Sequence, residues 1–289
     1  LNPDLKIALR TGDTTQKERG NQKRKPSFGL VTTPESLHLL LSTKDHKKTL
    51  QNLKVIVIDE WHELLGTKRG VQIELAIAYL NSFLPNLKVW GISATVGNKD
   101  LASKILLGSS KSFVTVNAEI QKKIEVESIL PKNMERFPWR GHLGIHLLSH
   151  VLEIVKKNKT TLIFTNTRAQ CEIWYHHLLD GNPELAGDIA MHHGSIDKKI
   201  RLWVEDALRK ENLKVVVCTS SLDLGVDFSP VENCIQIGSP KGVGRFIQRA
   251  GRSGHQPKAK SKIYFLPTHA MELIESLALQ RGIEKHKIE

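Results

Sequence analysis

The run VIVIDE, Val55 to Glu60, narrows the fold more than any other stretch of the chain. Four consecutive β-branched residues predict a short strand buried on both faces, as in a parallel sheet covered by helices. Asp59 and Glu60 finish that strand. In an open α/β sheet the carboxyl ends of the strands form the ligand crevice. Two readings stand open for the acidic pair. It can simply begin the next helix, where acids complement the helix dipole. Or it can serve nucleotide chemistry, with Asp59 holding Mg²⁺ already bound to phosphate oxygens and Glu60 positioning and polarising the attacking water. His62 adds little to the second reading, since a single histidine is usually a structural one.

The rest of the chain repeats the strand and helix alternation. Residues 5–10 read as a strand followed by RTGDT, and then a polar loop runs from Thr15 to Pro26. Lys17, Arg19, Lys23, Arg24 and Lys25 make that loop either a contact for a phosphate backbone or plain solvated surface. FGLVTTPESLHLLL predicts strand, turn and helix, with Thr33 as cap, Pro34 in the first turn and Glu35 as a favourable acid there. VQIELAIAYLNSFL is an amphipathic helix, and LKVWGISAT is the next buried strand, with Ser93 and Thr95 at its exposed end. Small hydroxyl side chains there can bond toward the acidic pair. This succession to about residue 108 predicts one parallel-sheet domain.

From about Phe113 the pattern changes. PKNMERFPWRG crowds Pro131, Pro138 and Gly141 together and predicts a linker, followed by a helix to Lys157 whose apolar spacing suits core packing. His142, His146 and His150 on that stretch lack carboxylate support for a metal site. A second α/β domain then begins at TTLIFTNTR, a strand ending at Thr165 with a helix after it. LKVVVCTSSLDLGVDF is another buried strand, with a loop in which Gly225 lets the backbone approach a ligand and Asp227 can accept from a ribose hydroxyl or fix an arginine. From Lys241 to Lys262 there are seven basic residues (241, 245, 249, 252, 258, 260, 262) and no acid. Gln248, Arg249 and Arg252 share one helix-to-loop corner, suited to clamping phosphate oxygens or to following a nucleic-acid backbone.

The composition agrees with a polyanionic partner. The net charge is +12 with only 6% aromatic residues, and 289 residues suffice for two compact domains. Three cysteines, at 171, 218 and 234, form no close pair or zinc spacing, which suits a reducing, cytoplasmic setting. No apolar run reaches the roughly 18 residues of a membrane span, so no membrane partner is expected, and no signal peptide is visible. The sequence opens at Leu1, close to a strand, and reads as an excerpt of a longer protein.

Together these segments resemble the helicase core of superfamily 2, and most closely the large helicase-related (Lhr) proteins. The resemblance rests on RTGDT (10–14), TTPES (32–36), DEWHELLGTKRGVQ (59–72), ISAT (92–95), FTNTR (164–168), HHGS (192–195), TSSLDLGVDF (219–228) and QRAGRSGH (248–255). FPWRGHLG (137–144) and YFLPTHAMELIE (264–275) look specific to the Lhr group. The resemblance implies an α/β fold of two tandem RecA-like parallel-sheet domains, the first incomplete at its N-terminus. It places a partial ATP-binding domain at 1–118, a linker and bridging helix at 119–157, a helicase C-terminal domain at 158–268 and the start of an extension at 269–289. It further implies ATP and Mg²⁺ between two lobes and a single strand across both, moved 3′ to 5′. Asp59 and Glu60 are then the Mg²⁺ and catalytic-base positions, and Ser93 and Thr95 the coupling positions. Asp227, Gln248, Arg249 and Arg252 are nucleotide contacts, with Arg252 the catalytic arginine. Thr33, Pro34, Glu35, Thr165, Arg168 and Thr219 line the strand track. The implied partner is single-stranded or tailed duplex DNA, with RNA an alternative.

Two departures stand out. Position 255 is His where many relatives carry a further arginine. No GxxxxGK[ST] phosphate-binding loop occurs in the sequence, so this segment alone is expected to hydrolyse ATP negligibly. The alternative reading is a passive single-strand-binding module.

Overall fold

The computed structural model describes residues 5–93, 96–108, 112–117, 124–130, 143–223, 231–254 and 261–285. The chain divides into two compact units, Leu1–Val116 and Asn117–Glu289. Both are parallel α/β sheet domains of RecA-like type.

In the first unit the elements are β1 (Ile7–Arg10), α1 (Gln16–Arg24), β2 (Gly29–Thr32), α2 (Pro34–Leu41), α3 (His46–Leu50), β3 (Val55–Ile58), α4 (Trp61–Leu64), α5 (Lys68–Phe83), β4 (Lys88–Gly91) and α6 (Lys99–Leu107). β1 pairs with β2 and β3 with β4, both in parallel register. The core lies under β3, where Ile58 and Trp61 meet Leu37, Ile73, Ile77 and Leu106 from α2, α5 and α6.

Two expectations need correction here. VIVI is buried on one side only. Val55 is 37% and Val57 47% exposed while Ile58 is 5% exposed, because within this unit the described helices pack against one face of the strand. The basic stretch after Thr15 is the nine-residue helix α1 and not a loop. The Thr15 hydroxyl accepts from the Glu18 N–H while the Glu18 carboxylate accepts from the Thr15 N–H, a capping box that starts a helix with no buried residue.

The second unit holds β5 (Ile124–Ser128), α7 (Leu148–Lys157), β6 (Thr161–Phe164), α8 (Arg168–Gly181), β7 (Ile189–His192), α9 (Lys198–Arg209), β8 (Val215–Cys218), β9 (Asn233–Ile237), α10 (Val243–Ala250), β10 (Ser261–Leu266) and α11 (Ala270–Glu284). Its six strands are all parallel in the order β5-β10-β9-β6-β8-β7. Helices cover both faces. Leu162 and Phe164 of β6 point to the side of α9, α10 and α11, and Ile163 points to the side of α7 and α8. Full burial of β6, β8 and β9 explains why their sequences are runs of apolar residues with no alternation. The linker expected around FPWRG falls on residues 131–142, outside the described residues. Among the described residues no helix is long and apolar enough to cross a membrane.

Candidate functional site

In the first unit the chemistry gathers at the end of β3. Trp61, 3% exposed, drives its ring into the core and donates from Nε1 to the Ala102 carbonyl at 3.1 Å. Its backbone N–H donates to the Ile92 carbonyl, and the Ile92 N–H to the Ile58 carbonyl, at 2.9 and 2.8 Å. The turn between β3 and α4 is therefore tied to the chain leaving β4. Glu60 within this turn has φ +50°, ψ +46°, a left-handed conformation that costs a non-glycine residue about 1–3 kcal/mol and persists only where neighbours impose it. Trp61 on one side and the Asp59 side chain, which accepts from the Glu60 N–H at 3.0 Å, on the other impose it here. The exposed Asp59 and the half-buried Glu60 carboxylates are both presented at this strand end. His62 bridges the two strand ends, with Nδ1 2.8 Å from the Ser93 hydroxyl and 3.5 Å from the Glu60 carboxylate.

Beside this turn, Thr33 caps α2 by accepting from the Ser36 N–H, and Pro34 is buried in the first helical turn. Glu35 is exposed and receives the Arg69 guanidinium from the start of α5 at 2.8 Å. Its own backbone N–H, and with it Arg69, holds that carboxyl below the ordinary range.

The second unit carries an open cavity of about 430 Å³ at the carboxyl ends of β6, β7 and β8, lined by Asn166, Thr167, Arg168, Gly194 and Thr219 to Ser221. Thr167 caps the fourteen-residue α8, so the amides of that helix start face the cavity beside the Arg168 guanidinium, a setting that favours phosphate oxygens. Behind the wall, His192 is 1% exposed, with Nδ1 2.7 Å from the Ser221 hydroxyl and Nε2 3.2 Å from Glu205. Burial pulls its pKa below the ordinary histidine value, against the opposing pull of Glu205.

Next to it stands a buried acid surrounded by arginines. Asp223, 4% exposed, takes a two-pronged bond from Arg249, Nε to Oδ1 at 2.8 Å and Nη2 to Oδ2 at 3.0 Å. The third side of the Arg249 guanidinium donates to Gln236, and its face lies 4.9 Å from the Phe164 ring centroid. Arg245 approaches the same carboxylate at 3.8 Å. Arg252 donates from Nε and Nη2 to the Asp223 carbonyl at 3.1 and 2.7 Å and remains half-exposed.

Residues 2–103 match the DEAD/DEAH box helicase family and residues 145–256 the helicase conserved C-terminal domain. The ATP-dependent helicase Lhr-Core of Methanocaldococcus jannaschii is 33% identical over 286 residues, covering 99% of this chain and 33% of that protein. Its counterpart in Methanothermobacter thermautotrophicus is 34% identical over 97% of this chain and 33% of its own length. A structure of Mycobacterium smegmatis helicase Lhr bound to ssDNA and AMP-PNP superposes with TM-score 0.84 at 28% identity, over 99% of this chain and 38% of that one. The chain is a superfamily 2 DEAD/DEAH-type helicase core, closely related to the Lhr family. It spans about a third of the length of the curated relatives it matches.

Within this helicase core the structure sorts the sequence-predicted residues. Asp59, Glu60 and Ser93 lie at the adjacent ends of β3 and β4, joined through His62. Arg168 and Thr219 share one cavity. Thr95 and Asp227 lie outside the described residues. Gln248 is half-buried on α10, one position from Arg249.

Three of the expected site residues are buried. The Arg249 guanidinium is 2% exposed and bonded to Asp223 and Gln236 over the Phe164 ring. Thr165 does not line the cavity, being fully buried with its hydroxyl donating to the Cys218 and Thr167 carbonyls. Pro34 is likewise buried and serves to start its helix. Sequence reasoning missed Asp223 and gave His62 too little weight. A lone acid between two leucines, LDL, was the available signal for Asp223, since an acid in an apolar setting must be paired.

Proposed function

We propose that this chain is the motor portion of an ATP-driven helicase or translocase that moves 3′ to 5′ along a nucleic-acid strand, DNA before RNA. The observation that carries the reading is the strained turn after β3, which holds Asp59 and Glu60 at a parallel-strand end and links Glu60 through His62 to Ser93. Strain of this kind, held by a buried tryptophan, is a cost that a passive binding module has no use for.

The residues present suit nucleotide and Mg²⁺. Hard carboxylate oxygens fit that ion, which needs only one or two of them beside phosphate oxygens and water. ATP, when bound, supplies the phosphoanhydride bond whose hydrolysis drives movement. Asp59 would hold the ion, and Glu60 would orient the attacking water and take its proton. His62 sits between Glu60 and Ser93, so a shift at the acid is passed to the loop after β4. Arg252, held by the Asp223 carbonyl, would offer its charge to a nucleotide phosphate. The cavity with Arg168 and Thr219 takes strand phosphates, assisted by the α8 amides. In the first unit, Thr33 and Glu35 at the start of α2 would supply strand contacts of their own. The choice of DNA follows the ssDNA-bound relative.

The deciding experiment is Glu60→Gln in the full-length protein. Removing a positioned base costs about 10²- to 10⁴-fold in turnover, while AMP-PNP affinity should stay within about threefold, the signature of a loss confined to the transition state. Strand-stimulated phosphate release at wild-type rate in this variant would overturn the assignment. Strand binding with no hydrolysis in the wild-type protein would favour the passive module, and preferential stimulation by RNA oligomers would replace DNA as the track.

A further inference from the structure

The helicase C-terminal family match ends at residue 256, yet α11, beyond it, reaches back into the site with two carboxylates. Glu272 is 5% exposed although charged. Its Oε2 accepts from the Thr268 N–H at 2.6 Å and hydroxyl at 3.0 Å, and its Oε1 accepts from the Ser239 N–H at 2.8 Å. One turn along, Glu275 accepts from the Ser239 hydroxyl. Ser239 is thus gripped at its amide and its side chain, and its carbonyl in turn accepts from Asn166 Nδ2 at 2.8 Å. Asn166 stands on the wall of the strand cavity between buried Thr165 and Arg168.

The preceding residue closes a second branch. Gly238 has φ +70°, and a side chain built there would lie 3.3 Å from both Asn166 Nδ2 and Glu272 Oε1, so the chain passes through the gap between them. The Gly238 carbonyl accepts from Gln236 Nε2 at 2.9 Å, and the Oε1 of Gln236 accepts from Arg249, the partner of Asp223. One loop, residues 238–242, is thereby bonded to the cavity on one side and to the arginine corner on the other, with α11 as its anchor.

We propose that Glu272, supported by Glu275, is a positioning residue for the strand cavity: it fixes Ser239, and Ser239 fixes Asn166 and the turn that leads into Arg168 at the start of α8. This inference rests on the strand-binding role given above to that cavity. A charged acceptor is required because Glu272 serves three donors with two oxygens, whereas glutamine has one acceptor oxygen and would aim an N–H₂ group at a donor. Charge-assisted bonds of this kind are the strong and geometrically demanding ones.

The test is a double-mutant cycle in the full-length protein with Glu272→Gln and Asn166→Ala, read as affinity for a fluorescent oligothymidylate, with melting temperature and AMP-PNP affinity measured alongside. Each single change is expected to weaken strand binding about tenfold, and the double variant about tenfold rather than a hundredfold, because both cut the same chain of contacts. AMP-PNP affinity should not move. Independent, multiplying losses would overturn the proposal, as would a lowered melting temperature with strand affinity within about twofold of wild type. If Glu272→Gln fails to fold, Glu275→Ala, which removes only the contact with the Ser239 hydroxyl, carries the same cycle with a smaller loss, and multiplying effects there refute it equally. Absence of strand binding by the wild-type protein would instead refute the cavity's assigned role.

Discussion

Arg249→Met isolates what the buried arginine contributes. The change keeps an unbranched side chain against Phe164 but removes both bonds to Asp223 and the one to Gln236. Asp223 is then a buried carboxylate whose remaining charged neighbours are weakly placed. Arg245 is 3.8 Å away with a side chain one-third exposed, and Arg252 bonds the Asp223 carbonyl rather than its carboxylate. Breaking a buried pair by removing one partner costs about 3–5 kcal/mol, and partial compensation by Arg245 puts the expectation near the lower end, about 3 kcal/mol. For a unit of about 170 residues that corresponds to a fall of about 6–12 °C in Tm. Thermal melting measures the total, and native-state amide exchange of β6, β8 and β9 assigns it to the second unit. Arg252→Ala is the contrast: it loses bonds to one backbone carbonyl at a half-exposed position, so stability should change by about 1–2 kcal/mol while turnover falls far more. An Arg249→Met protein that melts within about 2 °C of wild type yet loses turnover would return Arg249 to the phosphate clamp and refute this account of the corner.

Two further outcomes follow from single positions. A Cβ on Gly70 would stand 2.1 Å from the Leu64 carbonyl oxygen, so Gly70→Ala must push α5 away from α4, at a cost of about 3 kcal/mol; an unshifted Tm would contradict the close approach. His192 is held below its ordinary pKa by burial, so the unfolded chain takes up the proton first. Its contribution is complete above the unfolded value of about 6.5 and is lost as pH falls toward the folded value. Stability of the second unit should therefore drop as pH falls below about 6.5, and a His192→Gln variant should show a flatter profile there. An unchanged slope would place the acid sensitivity elsewhere.

What the sequence made legible depended on whether the relevant contact was local. The caps at Thr33, Thr67 and Thr167 bond amides three residues ahead, and each helix begins where its cap is written. The buried strands of the second unit announce themselves because both of their faces are covered by helices of the same unit. VIVI has the same composition, but residue type reports the tendency to be buried and not what supplies the cover, so Val55 and Val57 stay exposed within the first unit. Helix α1 is specified by its capping box and not by apolar period, which is why a pattern of polar and basic residues reads as a loop.

The basic run from Lys241 onward shows most plainly where sequence reading stops. Charge density gives the run a single character, a surface for phosphates, and spacing puts its arginines on neighbouring turns. Asp223 lies 26 residues from Arg249 in sequence, and its approach divides the run. Arg249 is neutralised and sealed beneath the helix, Arg245 keeps a third of its side chain in solvent, and Arg252 donates to a backbone oxygen and stays half-exposed. An arginine buried against a carboxylate has little charge left to offer a phosphate. The same residue type thus builds the corner at one position and reaches out from it three residues later, and burial by a distant acid, which no spacing within the run encodes, decides which does which.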